Sequence, residues 1–476
     1  MGLPESRNVC HFTQTPALTP MHRRLTHLRV PFRRLHRVFA SVATALLIAN
    51  HTVDAQRAIV PPIGSRIVRA SRVLDGTGSV MQNVDLTVEN GRITAIKPSA
   101  GALPAGGIDL RGRTVLPGLI DTHVHLGWYI NNKNRLHANG DGDTPAIVSL
   151  NQAGNAWATL HAGFTTVQSI GEAENGALRD AINRGVLPGP RVLTSLGSIN
   201  ETTGGGSPDS LRAAVRRFKI RGADLIKIFA SKSIRDGGEA TMTDEQIGAA
   251  CSEAKSQGLR SVVHAHSAEA VQRATRAGCT QVEHGVLADD ATRSMLVANG
   301  TYFDPQCGLV FHNYLDHKSW FDGIGNYNAV GFASMEKALP LAEAGIGLAS
   351  RTAKLKLVFG TDAVAGAHGR NAEELVCRVR KGGQPAMDAI VSATSRAAAS
   401  MGLDKEIGRI AEGYSADIIA TDGDPSQEIE ASERVLFVMR AGIVYRNDAS
   451  STVSAIGKGA KGGKGAKGEK GEKGSK

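Results

Sequence analysis

Two histidines one residue apart, His123 and His125, close the segment VLPGLIDTHVHLGW at residues 115–128. Val115 to Ile120 is apolar and punctuated by Pro and Gly, the pattern of a buried strand, and Asp121-Thr122-His123-Val124-His125 is its polar end. Residues i and i+2 of a strand face one side, so the two imidazoles project together. Two neutral ring nitrogens on one face suit a divalent transition metal. The pattern recurs in VVHAHS, which places His264 and His266 at i and i+2. VEHG adds His284 and FGTDA adds Asp362, while Lys227 interrupts the apolar run DLIKIFAS, where an unpaired ammonium is costly. Singly, each has an ordinary explanation: a satisfied core histidine, a paired or snorkelling lysine, an aspartate capping a helix. Together they put polar side chains at the ends of five strands, which chance does not explain for groups so rarely buried. What they suit is a metal held at the strand ends.

Such residues need a scaffold that brings distant strand ends together. From residue 115 the chain alternates short strands with helical segments. The strands are VLPGLIDTHVH, TTVQSIG, RVLTSLGSI, DLIKIFAS, SVVHAHS, QVEHGVL, TYFDPQC and KLVFGTDA. Between them lie segments such as SPDSLRAAVRRFKIRGA and TDEQIGAACSEAKSQG, each with a capping residue in front and Gly at its end. This alternation predicts an α/β fold, a (β/α)8 TIM barrel over residues 115–401, with chemistry at the C-terminal strand ends. Ahead of it, at 56–114, RIVRASRVLDG and NVDLTVENGRITAIKP read as hairpins. The β pattern resumes at 402–447 with SADIIATDGDP and RVLFVMRAGIVYRN. The two outer segments are expected to complete one small β-sandwich.

The net charge of +10 is misleading until it is located. Residues 1–55 hold seven Arg against Glu5 and Asp54, and residues 452–476 hold seven Lys against Glu469 and Glu472. The part between is neutral, so no nucleic-acid partner is expected. The N-terminus runs from Arg-rich HRRLTHLRVPFRRLHR through apolar VFASVATALLIA to VDA, the order of a secretory signal cleaved after Ala55, with Met1 or Met21 as start. A secreted or periplasmic protein follows, with a mitochondrial presequence as the alternative. The apolar run is too short for an ordinary membrane span. The end, GKGAKGGKGAKGEKGEKGSK, lacks proline and cannot bury a core, so residues 448–476 are expected to be a disordered cationic tail. Cys10, Cys251, Cys279, Cys307 and Cys377 form no CxxC pair, and free buried thiols are expected.

From about residue 64 to 447 the sequence resembles the amidohydrolase superfamily, in the imidazolonepropionase-like branch that includes Xaa-Pro and Xaa-Arg metallo-dipeptidases and ochratoxin-hydrolysing amidases. The likeness rests on HxH at strand one, Lys at strand four, His at strands five and six, Asp at strand eight and the terminal GRIAEGYSADIIATDGDP. The resemblance implies two divalent metal ions, with His123, His125 and Asp362 on one, and His264 and His284 on the other. It also implies that Lys227, carboxylated on its amine, bridges both. Choosing His264 over His266 rests on family spacing to His284; geometry alone leaves both open. Zinc is the expected metal, though these ligands also accept manganese or cobalt. Two loops depart from the family: NETTGGGSPDS lacks the histidine of a Thr-Gly-Gly-His run, and FASKSIRDGG stands where many relatives have a Gly-Gly turn.

The expected enzyme hydrolyses the amide of a dipeptide or N-acyl amino acid by attack of a water activated between two metals. Asp362 carries the proton to the leaving nitrogen, and His266 hydrogen-bonds the carbonyl or oxyanion. Tyr129 and His368, in loops after strands one and eight, are candidate substrate contacts beside His266. The partner is a small amide or dipeptide, and homo-oligomerisation stays open. The rivals are cyclic-amide or lactone hydrolysis at the same centre, and a catalytically silent, secreted metal-binding protein.

Overall fold

The computed structural model describes residues 64–449. The expected leader with its cleavage at Ala55, and the tail from residue 450 on, lie outside them. Among the described residues, no helix is long and apolar enough to cross a membrane.

The chain enters through β1 (Arg66–Leu74), β2 (Val80–Glu89), β3 (Arg92–Pro98), β4 (Ile108–Asp109) and β5 (Thr114–Pro117). Alternation in β2 buries Val84, Leu86 and Val88 on one face. The β2–β3 hairpin turns on Asn90 and Gly91, both at positive φ (50° and 78°), as Asn-Gly between alternating strands predicts.

The large domain then runs through β6 (Leu119–Val124), β7 (Phe164–Ser169), β8 (Arg191–Thr194), β9 (Ser198–Ile199), β10 (Leu225–Phe229), β11 (Arg260–Ser267), β12 (Gln281–Leu287), β13 (Tyr302–Asp304) and β14 (Lys356–Leu357). All their pairings are parallel, in one three-stranded and one six-stranded sheet with neighbours in chain order. Helices intervene where the sequence places caps. Ser207 caps the helix Pro208–Ile220, and Thr243 with Gln246 forms a full capping box on the helix Asp244–Ser256. Backbone hydrogen bonds cross both seams between the sheets. Asp224 N donates to Thr194 O, joining β8 to the start of β10. Thr122 N donates to Phe359 O, Asp362 N to His123 O and His125 N to Ala363 O, joining β6 to the segment after β14. Helices cover the outside, so β6, β7 and most of β10 and β11 are buried on both faces.

After the large domain come β15 (Ile418–Thr421), β16 (Val435–Arg440) and β17 (Ile443–Asn447). β15 pairs antiparallel with β5, so the segments on either side of the large domain share one sheet, as expected. The expected sandwich is corrected to a single hydrogen-bonded sheet, ordered β17-β16-β15-β5-β1-β2-β3 with β4 also on β1. It curls because Ile93 N donates to Tyr414 O and Ala416 N to Gly91 O, bringing the β3 end round to the lead-in of β15. Val68, Leu86, Val115, Ile418 and Phe437 fill the inside, and Leu116, Ile419, Val435 and Val438 pack against Leu160 and Phe164 of the large domain.

The cysteine expectation is overturned. Cys251 is disulfide-bonded to Cys279, and Cys307 to Cys377. Separations of 28 and 70 residues conceal both pairs in the sequence, and the fold brings their Cα atoms to 5.2 and 5.8 Å. Loops of that length give about 3–5 kcal/mol each in the chain-entropy account.

Candidate metal centre

Four strands and the segment after β14 contribute to the centre. His123 is the penultimate residue of β6 and His125 follows the strand directly. Lys227 comes from β10, His264 and His266 from β11, His284 from β12, and Asp362 from the segment after β14. All line one cavity of about 310 Å³. Asp362 Oδ1 lies 3.3 Å from His123 Nε2 and 3.1 Å from His125 Nε2. The His284 ring centroid is 4.5 Å from that of His264, 4.6 Å from His266 and 5.2 Å from His123. Ligand atoms thus fall into two overlapping triplets, His123–His284–Asp362 and His264–His266–His284, each within 4.8 Å. His284 and Asp362 sit at φ of 69° and 53°, a region that costs a non-glycine residue about 1–3 kcal/mol. Both residues bear this strain where their side chains enter the cavity.

Carboxylates behind the histidines fix their tautomers. His123 Nδ1 donates to Glu283 Oε2 at 2.9 Å, and His125 Nδ1 to Glu172 Oε1 at 3.0 Å. Each ring therefore turns the lone pair of Nε2 inward, the arrangement that orients a metal ligand and raises its basicity. Glu283 also accepts from Gln281 Nε2, which donates to Thr122 as well. Thr122 donates in turn to Asp304, whose other oxygen is held by buried Arg378. Asp121 accepts from His123 N, Thr361 N, Thr361 Oγ1 and Asn371 Nδ2, which ties β6 to the Asp362 turn. At Gly360 a Cβ would fall 1.9 Å from Asp304 Oδ2 and 2.8 Å from His123 Cβ, so only glycine fits there.

Burial dominates the electrostatics. It pushes His123, His264 and His284 well down, with neighbouring cationic groups adding to the effect, so these rings stay neutral as ligands must. His266 is pushed to about 3 by burial, then by the charges of Arg235 and Lys227. In His125 burial is outweighed by Glu172 and Asp362, which raise it to about 9, so this ring would have to give up its Nε2 proton to bind an ion. Burial also lowers the Lys227 amine, whose Nζ has no hydrogen-bond partner. Burial raises Asp362, but His123 and His125 outweigh it and hold the carboxyl below its ordinary value.

His123 Nε2, Lys227 Nζ and His266 Nδ1 are buried without hydrogen bonds, a rarity that calls for an absent partner. Imidazole nitrogens and a carboxylate around them are the donor set divalent zinc-like ions take. Glu172→Ala should accordingly weaken metal affinity by about 10–100-fold, measured by competition with a chromophoric chelator. Unchanged affinity would show that Glu172 does not orient His125.

Sequence reasoning placed the seven convergent residues and missed Glu172, Glu283, Asp304 and Arg378. The one signal was Glu283, a charge inside the strand QVEHGVL. His264 and His266 both meet His284, so the strand-five alternative stays open on geometry. The two loop candidates fall outside the cavity wall. Tyr129 is buried with its hydroxyl donating to Asp143 and its ring stacked on His137, and His368 Nε2 bonds the backbone oxygen of His125 from behind. Both side chains serve the packing of their loops, the ordinary fate of such residues.

The amidohydrolase family matches residues 114–445. Ochratoxinase of Aspergillus niger is 26% identical over 434 residues, covering 80% of this chain and 86% of that protein. Among solved structures, a Xaa-Pro dipeptidase with methionine bound in its active site superposes with a TM-score of 0.73 at 30% identity, covering 81% of this chain and all of that one. A putative prolidase from Bifidobacterium longum gives 0.68 at 26% identity, covering 83% and 99%.

Proposed function

Because this chain belongs to the amidohydrolase family and is a hydrolase of carbon–nitrogen amide bonds, we propose that it cleaves a dipeptide or N-acyl amino acid at a two-metal centre in the mouth of a closed (β/α)8 barrel. The observation that carries this reading is the convergence of five histidines and Asp362 on one cavity with an unpartnered, buried Lys227 amine. His123, His125 and Asp362 would hold one ion, His264 and His284 the other, and Lys227, carboxylated, would bridge them. Zinc is the expected ion. Such ions acidify water and polarise a carbonyl.

The chain's own residues do the rest. Asp362, kept ionised by His123 and His125, accepts the proton of the attacking water and returns it to the leaving nitrogen. Neutral His266 stands beside His284 with a buried nitrogen free, placed to hydrogen-bond the substrate carbonyl. Apolar walls from Val310, Phe311, Met335 and Val364 keep bulk water out and suit an apolar side chain. The dipeptidase relative, with methionine in its active site, supports an amino acid as the released half. The two disulfides favour an oxidising compartment, which supports secretion or a periplasmic location.

Purified protein should carry two divalent ions per chain. A chelator should abolish turnover on a panel of dipeptides and N-acyl amino acids while circular dichroism stays unchanged, since the apolar core is built without the metals. Full activity with one tightly held ion would overturn the binuclear reading, and turnover confined to lactones or cyclic amides would move the substrate class to the rival.

A further inference from the structure

The loop after β10, SKSIRDGG at 231–238, is one of the two segments expected to depart from the family pattern. It is a built structure. Ser231 bridges Ala240 and Lys232 N donates to Glu239 O, while Ser233 caps the short turn Ile234–Asp236. Gly237 and Gly238, both at positive φ, bring the chain back against His266, where a Cβ on Gly238 would lie 2.7 Å from His266 Cβ. At its tip, Arg235 lines the same cavity as the metal centre.

The Arg235 side chain is fixed from three directions. Its Nε donates to Asn326 Oδ1 at 2.7 Å, and Asn326 is itself held by Asp236. The guanidinium carbon lies 4.0 Å from the Tyr327 ring centroid and 5.6 Å from that of Tyr314, and the two tyrosines are hydrogen-bonded to each other. Yet among the described residues no carboxylate pairs with Arg235, and its two terminal nitrogens make no hydrogen bond. A cation stacked and oriented, with its fork unused and turned to a cavity, is preorganised for a planar anion. The acid that also lines the cavity, Asp362, is engaged by His123 and His125.

We propose that Arg235 is the specificity-determining residue for a free α-carboxylate on the released amino acid, gripping it through both terminal nitrogens while the apolar side chain rests on Val310, Phe311 and Met335. This deepens the amide-cleaving reading and rests on it. The scissile carbonyl of the acyl half belongs at the histidines, and the carboxylate of the leaving amino acid then reaches away from them toward the strand-four loop.

The test uses the metal-loaded full chain with N-acetyl-L-phenylalanine and its α-carboxamide. Release of acetate gives kcat and KM, and calorimetry gives Kd. Wild type should favour the free acid by about 100-fold in kcat/KM and should bind it more tightly, as expected for a desolvated charge pair. Arg235→Gln should lose about that factor on the acid, mainly in KM, and far less on the carboxamide, with metal content unchanged. Arg235→Lys should lose at least about tenfold of the discrimination, because an ammonium keeps the charge without the fork. If Arg235→Gln does not fold, the lysine variant decides alone. Discrimination that survives either variant overturns the proposal, as does a wild type indifferent to the carboxylate. Should neither compound be hydrolysed while binding still shows an Arg235-dependent preference, the amide-cleaving reading of this pair fails and the carboxylate receptor stands.

Discussion

Lys227→Ala should lose its divalent ions and its activity together, by about three orders of magnitude or more in turnover, and millimolar formate or acetate with excess metal should restore part of both. The expectation starts from a physical anomaly. Lys227 is fully buried in β10 between Ile226 and Ile228, with its Nζ unpartnered and 5.1 Å from the Phe229 ring centroid. An ammonium there is poorly solvated, and burial moves the amine toward its neutral form. A neutral amine takes up carbon dioxide, and the resulting carbamate offers two anionic oxygens to the cations that the surrounding histidines would hold. Truncation to alanine leaves a space that a small carboxylate can enter, supplying the same two oxygens. Lys227→Arg should not be rescued, since the guanidinium stays charged, fills that space and cannot be carboxylated. Metal content by atomic absorption, read beside turnover with and without formate, decides the matter. Full activity in Lys227→Arg would return the residue to an ordinary buried charge and remove the bridge.

The centre was legible because its residues obey strand periodicity. His123 with His125, and His264 with His266, announce a shared face by spacing alone, and Lys227 stands out against Leu225, Ile226, Ile228 and Phe229. Local signals also carried the Asn90-Gly91 hairpin and the Thr243–Gln246 capping box. What failed to show depends on contacts between distant segments. Glu172 meets His125 across 47 residues and Glu283 meets His123 across 160, so neither spacing carries a pattern. The disulfides are hidden for the same reason. Tyr129 and His368 misled because position in a loop after a strand says nothing about rotamer: one ring stacks on His137, the other points at a backbone oxygen. Arg235 lies in a segment flagged only as a departure, and its importance appears once Asn326 and Tyr327 arrive from about 90 residues away. The curled sheet replaced the expected sandwich because the bonds from Ile93 to Tyr414 and from Ala416 to Gly91 are likewise invisible to alternation.

Asp362→Asn should keep most of the metal and lose about 10²–10⁴-fold in turnover, the usual range for a removed general base. Asparagine is the informative replacement for a reason in the backbone. Asp362 sits at φ of 53°, a region that asparagine tolerates nearly alone among residues with a side chain of this shape. The amide oxygen can still face His123 and His125 and still coordinate, so the turn that Asp121 ties to β6 through Thr361 should remain intact. What asparagine cannot do is take a proton and hand it on. Alanine would instead combine backbone strain, a lost ligand and a lost base, and its effect could not be apportioned. A proton carrier used in the chemical step lowers kcat and kcat/KM alike, whereas a residue that only binds substrate raises KM. An asparagine variant with full metal content and turnover within about tenfold of wild type would take the proton-carrying role from Asp362 and leave it as a ligand.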